Sequence, residues 1–105
     1  MARKIKNNVI VVTGASGNLG KAICKQFAKS GSLIAALDIN SIALIKLKKD
    51  LGKEDIEIYT IECDITDKNA CQTARNKIYN KWGRIDGLVN NAGITHIERL
   101  KKWKK

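Results

Sequence analysis

The chain has 105 residues, 44% of them hydrophobic, and a formal net charge of +10 from 20 Lys and Arg against 10 Asp and Glu. That length holds one domain with a real core, and the composition is that of a folded chain rather than a disordered one. Eight of the bases sit at the two ends, Arg3, Lys4 and Lys6 and then Arg99, Lys101, Lys102, Lys104 and Lys105, so the body is nearly neutral and presents no obvious basic face for nucleic acid.

Val9 to Val12 is a continuous apolar, β-branched run, the pattern of a strand covered on both faces of a parallel sheet. From Leu19 the period changes: Leu19, Ala22, Ile23, Phe27 and Ala28 form one stripe and Lys21, Lys25 and Lys29 point away, which predicts an amphipathic helix stopped by Gly31. Leu33 to Leu37 is a second strand ending at Asp38. Asn40 or Ser41 then caps a helix whose buried side is Leu44, Leu47 and Leu51 and which Gly52 ends. Glu57 to Glu62 alternates as a third strand. Asp67 caps a third helix with the stripe Ala70, Cys71, Ala74, Ile78 and Trp82, terminated by Gly83, and a fourth strand runs from about Asp86 to Asn90.

The order β-α-β-α-β-α-β, with crossovers long enough to be right-handed, predicts an α/β fold of Rossmann type: a doubly wound parallel sheet of about four strands in the order 3-2-1-4. Residues 1–93 are expected to form a partial dinucleotide-binding domain, and residues 94–105 a basic tail. The longest apolar runs fall well below the roughly 18 residues of a membrane span, and the basic start is followed by only four apolar residues, too few for a secretory signal. Cys24, Cys63 and Cys71 lack metal-ligand or disulfide spacing, so no metal site is expected and the thiols read as idle in a reducing, cytoplasmic setting.

The chemistry concentrates at the ends of the strands. Between the first strand and helix the sequence is Thr13-Gly14-Ala15-Ser16-Gly17-Asn18-Leu19-Gly20. Three glycines spaced by three, in a turn that opens a helix, let a pyrophosphate approach the unpaired helix amides. Asp38 ends the second strand, placed to accept hydrogen bonds from an adenosine ribose and to repel a 2′-phosphate. No Arg or Lys lies between Thr13 and Leu19 or just after Asp38, so NAD is favoured over NADP.

Two further segments, Cys63-Asp64-Ile65-Thr66-Asp67 and Gly83-Arg84-Ile85-Asp86-Gly87-Leu88-Val89-Asn90-Asn91-Ala92-Gly93, together with the glycine loop, resemble the short-chain dehydrogenase/reductase family over residues 7 to 93. The resemblance implies that Gly14, Gly17 and Gly20 line the pyrophosphate, with Ser16, Asn18 and Leu19 of the same loop also binding the cofactor. It further implies that Asp64 and the Ile65 backbone meet the adenine, and that Asn90, Ala92 and Gly93 border the ribose toward the nicotinamide, with Asn91 tying the fourth strand to its neighbour. The T-G-x-x-G-x-x-G spacing, with Asn18 where most single-domain members carry glycine, is similar to the extended, nucleotide-sugar-modifying branch. The N-N-A-G element is similar to the single-domain branch.

In that family a tyrosine with a lysine four residues later runs the acid–base chemistry, assisted by a serine. Here Tyr59 is followed at that spacing by Cys63 and Tyr79 by Gly83, so no catalytic residue is assigned. His96 has no partner carboxylate identified and reads as a surface residue. The resemblance covers the first half of a typical member, which suggests a truncation, for instance a frameshift near residue 94. The expected function is therefore that of a truncated NAD-dependent oxidoreductase that keeps cofactor binding, with substrate bound only in a full-length form. The alternatives are a fragment of an extended-type epimerase or dehydratase, a non-catalytic NAD-binding or assembly module using the exposed sheet edge for an oligomer contact, and a basic tail engaging nucleic acid or anionic membrane.

Overall fold

The computed structural model describes residues 7–91. The expectations placed on Ala92, Gly93, His96 and the basic tail lie outside the described residues. The elements are β1 (Val9–Thr13), α1 (Asn18–Lys29), β2 (Leu33–Asp38), α2 (Ser41–Gly52), β3 (Tyr59–Glu62), α3 (Lys68–Trp82) and β4 (Gly87–Asn90). All strand pairs are parallel, in the order β3-β2-β1-β4. The fold expected from the sequence is thus the fold found.

β1 is central. Val9 to Thr13 align with Leu33 to Leu37 on one side, and Ile10 to Thr13 with Gly87 to Asn90 on the other. Its alternating side chains feed two cores. Ile10 and Val12, with Ile34 and Ala36 of β2, pack among Cys24, Leu44, Leu47 and Leu51 of α1 and α2. Val9 and Val11, with Ala35 and Leu37, pack among Ile61, Cys63, Ala74 and Ile78 on the α3 face. Both faces being covered, the strands need apolar residues at every position rather than at alternate ones.

The helix ends follow their local chemistry. The Asn40 side chain accepts from the Ala43 amide at 3.0 Å and Asp67 accepts from Asn69 at 2.9 Å, each satisfying a first-turn donor. Gly31 and Gly83 take left-handed backbone after α1 and α3, with φ of 93° and 76°. α2 ends at Gly52 as expected, with Lys53 as the C-cap in right-handed conformation and Asp55 taking the positive φ. The third strand starts at Tyr59 rather than Glu57, although Ile58 is buried in the α1–α2 core.

The stripe of α1 also differs. Leu19 is 64% exposed and Ala22 exposed, whereas Gly20 and Cys24 are buried, with Ile23, Phe27 and Ala28 packed around them. The helix meets the sheet through its smallest side chains, so its true contact line lies one residue away from the most hydrophobic one. Lys21 and Lys25 pair with Asp50 at 3.3 Å and Glu54 at 2.8 Å, strapping α1 to the end of α2. These half-exposed pairs set the helix azimuth more than they add stability.

β4 is registered by a carboxylate. Asp86 Oδ2 accepts from the Val9 amide at 2.7 Å, and the Asp86 amide donates to Val9 O at 2.8 Å. The Arg84 guanidinium, 2.6 Å from Oδ1, holds the Asp86 carboxyl below its ordinary value. A depressed folded pKa contributes stability above the unfolded value near 3.9, and that contribution is lost as pH falls through the folded value. Asp86→Asn should therefore melt lower than the parent at pH 7, with the two curves converging as pH falls below about 4. Parallel curves across that range would show that the carboxylate does not set this acid sensitivity.

Candidate dinucleotide site

The C-terminal ends of β1, β2 and β3 lie side by side and carry the glycine loop, Asp38 and the turn beginning at Asp64. The three loop glycines are required for different reasons. Gly14 has φ of 61°, the left-handed region that turns the chain out of β1. Gly20 is required by packing: a Cβ there would stand 2.4 Å from Gly14 O and 2.7 Å from Ala15 Cα, so α1 could not lie this close to the strand. Gly17 is held by neither constraint. Its φ is −75°, and a Cβ would meet nothing nearer than Gly14 O at 3.9 Å.

Gly17 is also the N-cap of α1, and it brings no side chain to that task, unlike Asn40 and Asp67. The first helical bond is Lys21 N–H to Gly17 O at 2.8 Å. The amides of Asn18, Leu19 and Gly20 consequently have no acceptor among the described residues, and Gly17, Asn18 and Leu19 are exposed. An open N-terminus with free donors and a positive dipole end accommodates an anion. The residues present thus fit a pyrophosphate.

Asp38 is tied to the same loop. Its Oδ2 accepts from Ser16 Oγ at 2.6 Å and from the Ser16 amide at 3.2 Å, while Oδ1 accepts from the Asn40 amide at 3.0 Å. Partial burial works to raise its pKa, but the Ser16 hydroxyl and the amides of Asn40, Ser16 and Ile39 outweigh that and hold the carboxyl ionised. Asp38 does not cap α2, since Asn40 does. Its position is set by the glycine loop, a partnership between Ser16 and Asp38 that residue spacing alone does not reveal.

Asp64 accepts from Thr66 Oγ1 at 2.6 Å and the Thr66 amide at 2.9 Å, both at Oδ1, and these bonds lower its pKa. Ile65 beside it is half-buried, its carbonyl accepting from Cys71 Sγ at 3.3 Å. At the end of β4, Asn90 Oδ1 accepts from Thr13 Oγ1 at 3.0 Å. Asn91 donates its backbone amide to Thr13 Oγ1 at 3.0 Å and its side-chain amide to Gly14 O at 3.2 Å. Asn91 thus ties β4 to the start of the glycine loop. Among the described residues there is no cluster of metal ligands and no helix long and apolar enough to cross a membrane.

A parallel sheet in this order, with a glycine turn opening the helix after its central strand, defines the dinucleotide-binding class of α/β folds. The short chain dehydrogenase family model matches residues 8–105, and the chain belongs to that family. It is 34% identical over 94 residues to D-threitol dehydrogenase of Mycolicibacterium smegmatis, covering 90% of this chain and 36% of that one. With the 3-oxoacyl-[acyl-carrier-protein] reductase FabG of Thermotoga maritima the identity is 33% over 102 residues, 97% of this chain and 42% of the relative. Among solved structures, an NAD+-bound xylitol dehydrogenase superposes with a TM-score of 0.80 at 36% identity, over 88% of this chain and 35% of that one. The 2-keto-3-deoxy-D-gluconate dehydrogenase of Streptococcus agalactiae gives 0.82 at 34%, over 89% and 35%. The chain thus spans well under half the length of these relatives.

The glycine geometry separates stability from binding. Gly20→Ala should lower stability by about 2 kcal/mol or more, because backbone must part to admit the methyl group. Gly17→Ser supplies a capping hydroxyl and should leave stability unchanged or raised by a few tenths of a kcal/mol. Denaturant titration of both variants checks this, and equal losses would refute the distinction.

Proposed function

We propose that this chain holds a nicotinamide dinucleotide, NAD in preference to NADP, through residues 1–93, and that it is the cofactor-binding part of an oxidoreductase. The observation that carries this reading is the open first turn of α1 at Gly17, flanked by an ionised Asp38. In this reading the amides of Asn18, Leu19 and Gly20 hold the pyrophosphate and Ser16 sets the Asp38 carboxylate to receive the adenosine ribose hydroxyls. Asp64 and Ile65 border the adenine, while Asn90, Ala92 and Gly93 border the ribose near the nicotinamide.

NAD is preferred on electrostatic grounds. A 2′-phosphate at the ribose would face the Asp38 carboxylate, and Lys21, close in sequence to the loop, is engaged by Asp50 at 3.3 Å. The bound nicotinamide would supply hydride-transfer chemistry. What these 105 residues contribute is binding and orientation, since neither tyrosine has a lysine four residues on. Hydride exchange with an alcohol or carbonyl substrate is accordingly proposed only for a protein that carries further sequence. The isolated chain should bind NAD without turnover.

Calorimetric titration tests the assignment. The parent should bind NAD at least about tenfold more tightly than NADP, a difference of roughly 1.4 kcal/mol. Asp38→Asn should narrow that ratio, whereas Gly17→Ser should weaken both cofactors together. Equal affinities in the parent, or an unchanged ratio in Asp38→Asn, would overturn the NAD assignment, and tight binding by Gly17→Ser would overturn the pyrophosphate assignment.

A further inference from the structure

The outward side of α2 carries apolar side chains where a helix lying on a sheet ordinarily turns polar ones to water. Three of the four exposed large hydrophobic residues among the described residues fall in one stretch, Ile39, Ile42 and Ile45, the last two 78% and 69% exposed. Ile39 adjoins Asp38 and falls to the site already described. Ile42 and Ile45 stand three residues apart on the side of α2 opposite Leu44, Leu47 and Leu51, which enter the core, and the exposed Lys46 and Lys49 continue the same row. The row is apolar in the first half of the helix and basic in the second.

Ion pairs with α1 sort the charges around this row. Asp50 and Glu54 are held by Lys21 and Lys25, at 3.3 Å and 2.8 Å. Lys46, Lys48, Lys49 and Lys53 are exposed and form no ion pair among the described residues. Asp55 lies beyond the C-cap, past the end of the helix furthest from the isoleucines. The near neutrality of the body therefore conceals a local basic row beside two exposed isoleucines. We propose that the outer side of α2 docks on an anionic lipid surface, Ile42 and Ile45 entering the headgroup boundary and the lysines meeting lipid phosphates. The contact is peripheral, since no helix among the described residues is long and apolar enough to cross a membrane, and it stands independently of the cofactor reading.

Charge and area choose this occupant over the others. A second copy would set one row of lysines against another. Nucleic acid would satisfy the lysines and leave the isoleucines in water. At 12 residues α2 is about 18 Å long, and a row one side chain wide covers far less than the roughly 800 Å² per partner of a stable protein interface. A lipid surface demands neither that area nor a complementary shape. Apolar side chains enter it by roughly 5–10 Å, lysine stems lie along it, and each ammonium meets a headgroup separately.

Vesicle flotation of the intact chain provides the test. The parent should float with vesicles of equal parts phosphatidylglycerol and phosphatidylcholine, stay behind with phosphatidylcholine alone, and be released as salt is raised. Two double variants probe the row: Ile42→Gln with Ile45→Gln, and Lys46→Gln with Lys49→Gln. All four positions are exposed, so both variants should melt with the parent by circular dichroism, and each should bind the anionic vesicles at least about tenfold more weakly. A parent that does not float with the anionic vesicles would overturn the proposal. Undiminished binding by both variants would do so too, by moving the contact to the basic ends of the chain. Weakening by the lysine pair alone would reduce the contact to charge and overturn the insertion of the isoleucines. Retention on duplex DNA that both variants lose, with no flotation, would assign the row to nucleic acid instead.

Discussion

The contact between Gly20 and the backbone of Gly14 and Ala15 is the constraint on which the rest of the molecule depends. It lets α1 lie directly on the exit from the central strand, where even a methyl group would enter 2.4 Å from a carbonyl oxygen. That proximity buries Cys24 in the sheet and brings Lys21 and Lys25 to Asp50 and Glu54. It also points the first turn of α1 at the space above the strand ends. A larger residue at position 20 would displace the helix axis, and with it the amides of Asn18 and Leu19.

Around that contact the strand ends are joined by polar bonds rather than packing. Asn91 bonds Gly14 O, Thr13 bonds Asn90, and Ser16 bonds Asp38, so the glycine loop is fixed to β4 on one side and β2 on the other. Apolar side chains could not do this work at an edge that must stay open to solvent and to a polar ligand. The same logic places the charged groups: hydroxyl and amide donors hold both carboxyls ionised, Asp38 chiefly through Ser16 of the glycine loop and Asp64 through Thr66 of its own turn. In the proposed reading, carboxylates preorganised in this way would lose little freedom on meeting a ribose or a base.

Much of the fold was legible because the two-sided burial of β1 and β2 demands continuous apolar runs, and Val9 to Val12 and Leu33 to Leu37 are such runs. Asn40, Asp67, Gly31 and Gly83 announced their helix ends through local chemistry that needs no tertiary information. The stripe of α1 was misread at Leu19 and Ala22, because hydrophobicity ranks a leucine above a glycine while close packing requires the reverse. The α2 terminus at Gly52 was read correctly, while the left-handed Asp55 beyond it carries no sequence signal. The Ser16–Asp38 bond joins residues 22 apart in different loops and has no periodic signature.

The central claim is that the uncapped first turn of α1, with Asp38 beside it, receives a dinucleotide. Amide chemical shifts of the isotopically labelled chain, followed through an NAD titration, address it residue by residue. The account predicts saturable shifts centred on Ser16 to Gly20, with further changes at Asp38 and Ile39 and at Asp64 and Ile65, and little change at Lys29 to Leu33 at the opposite end of the sheet. Shifts absent from Ser16 to Gly20, or concentrated at that opposite end, would contradict it.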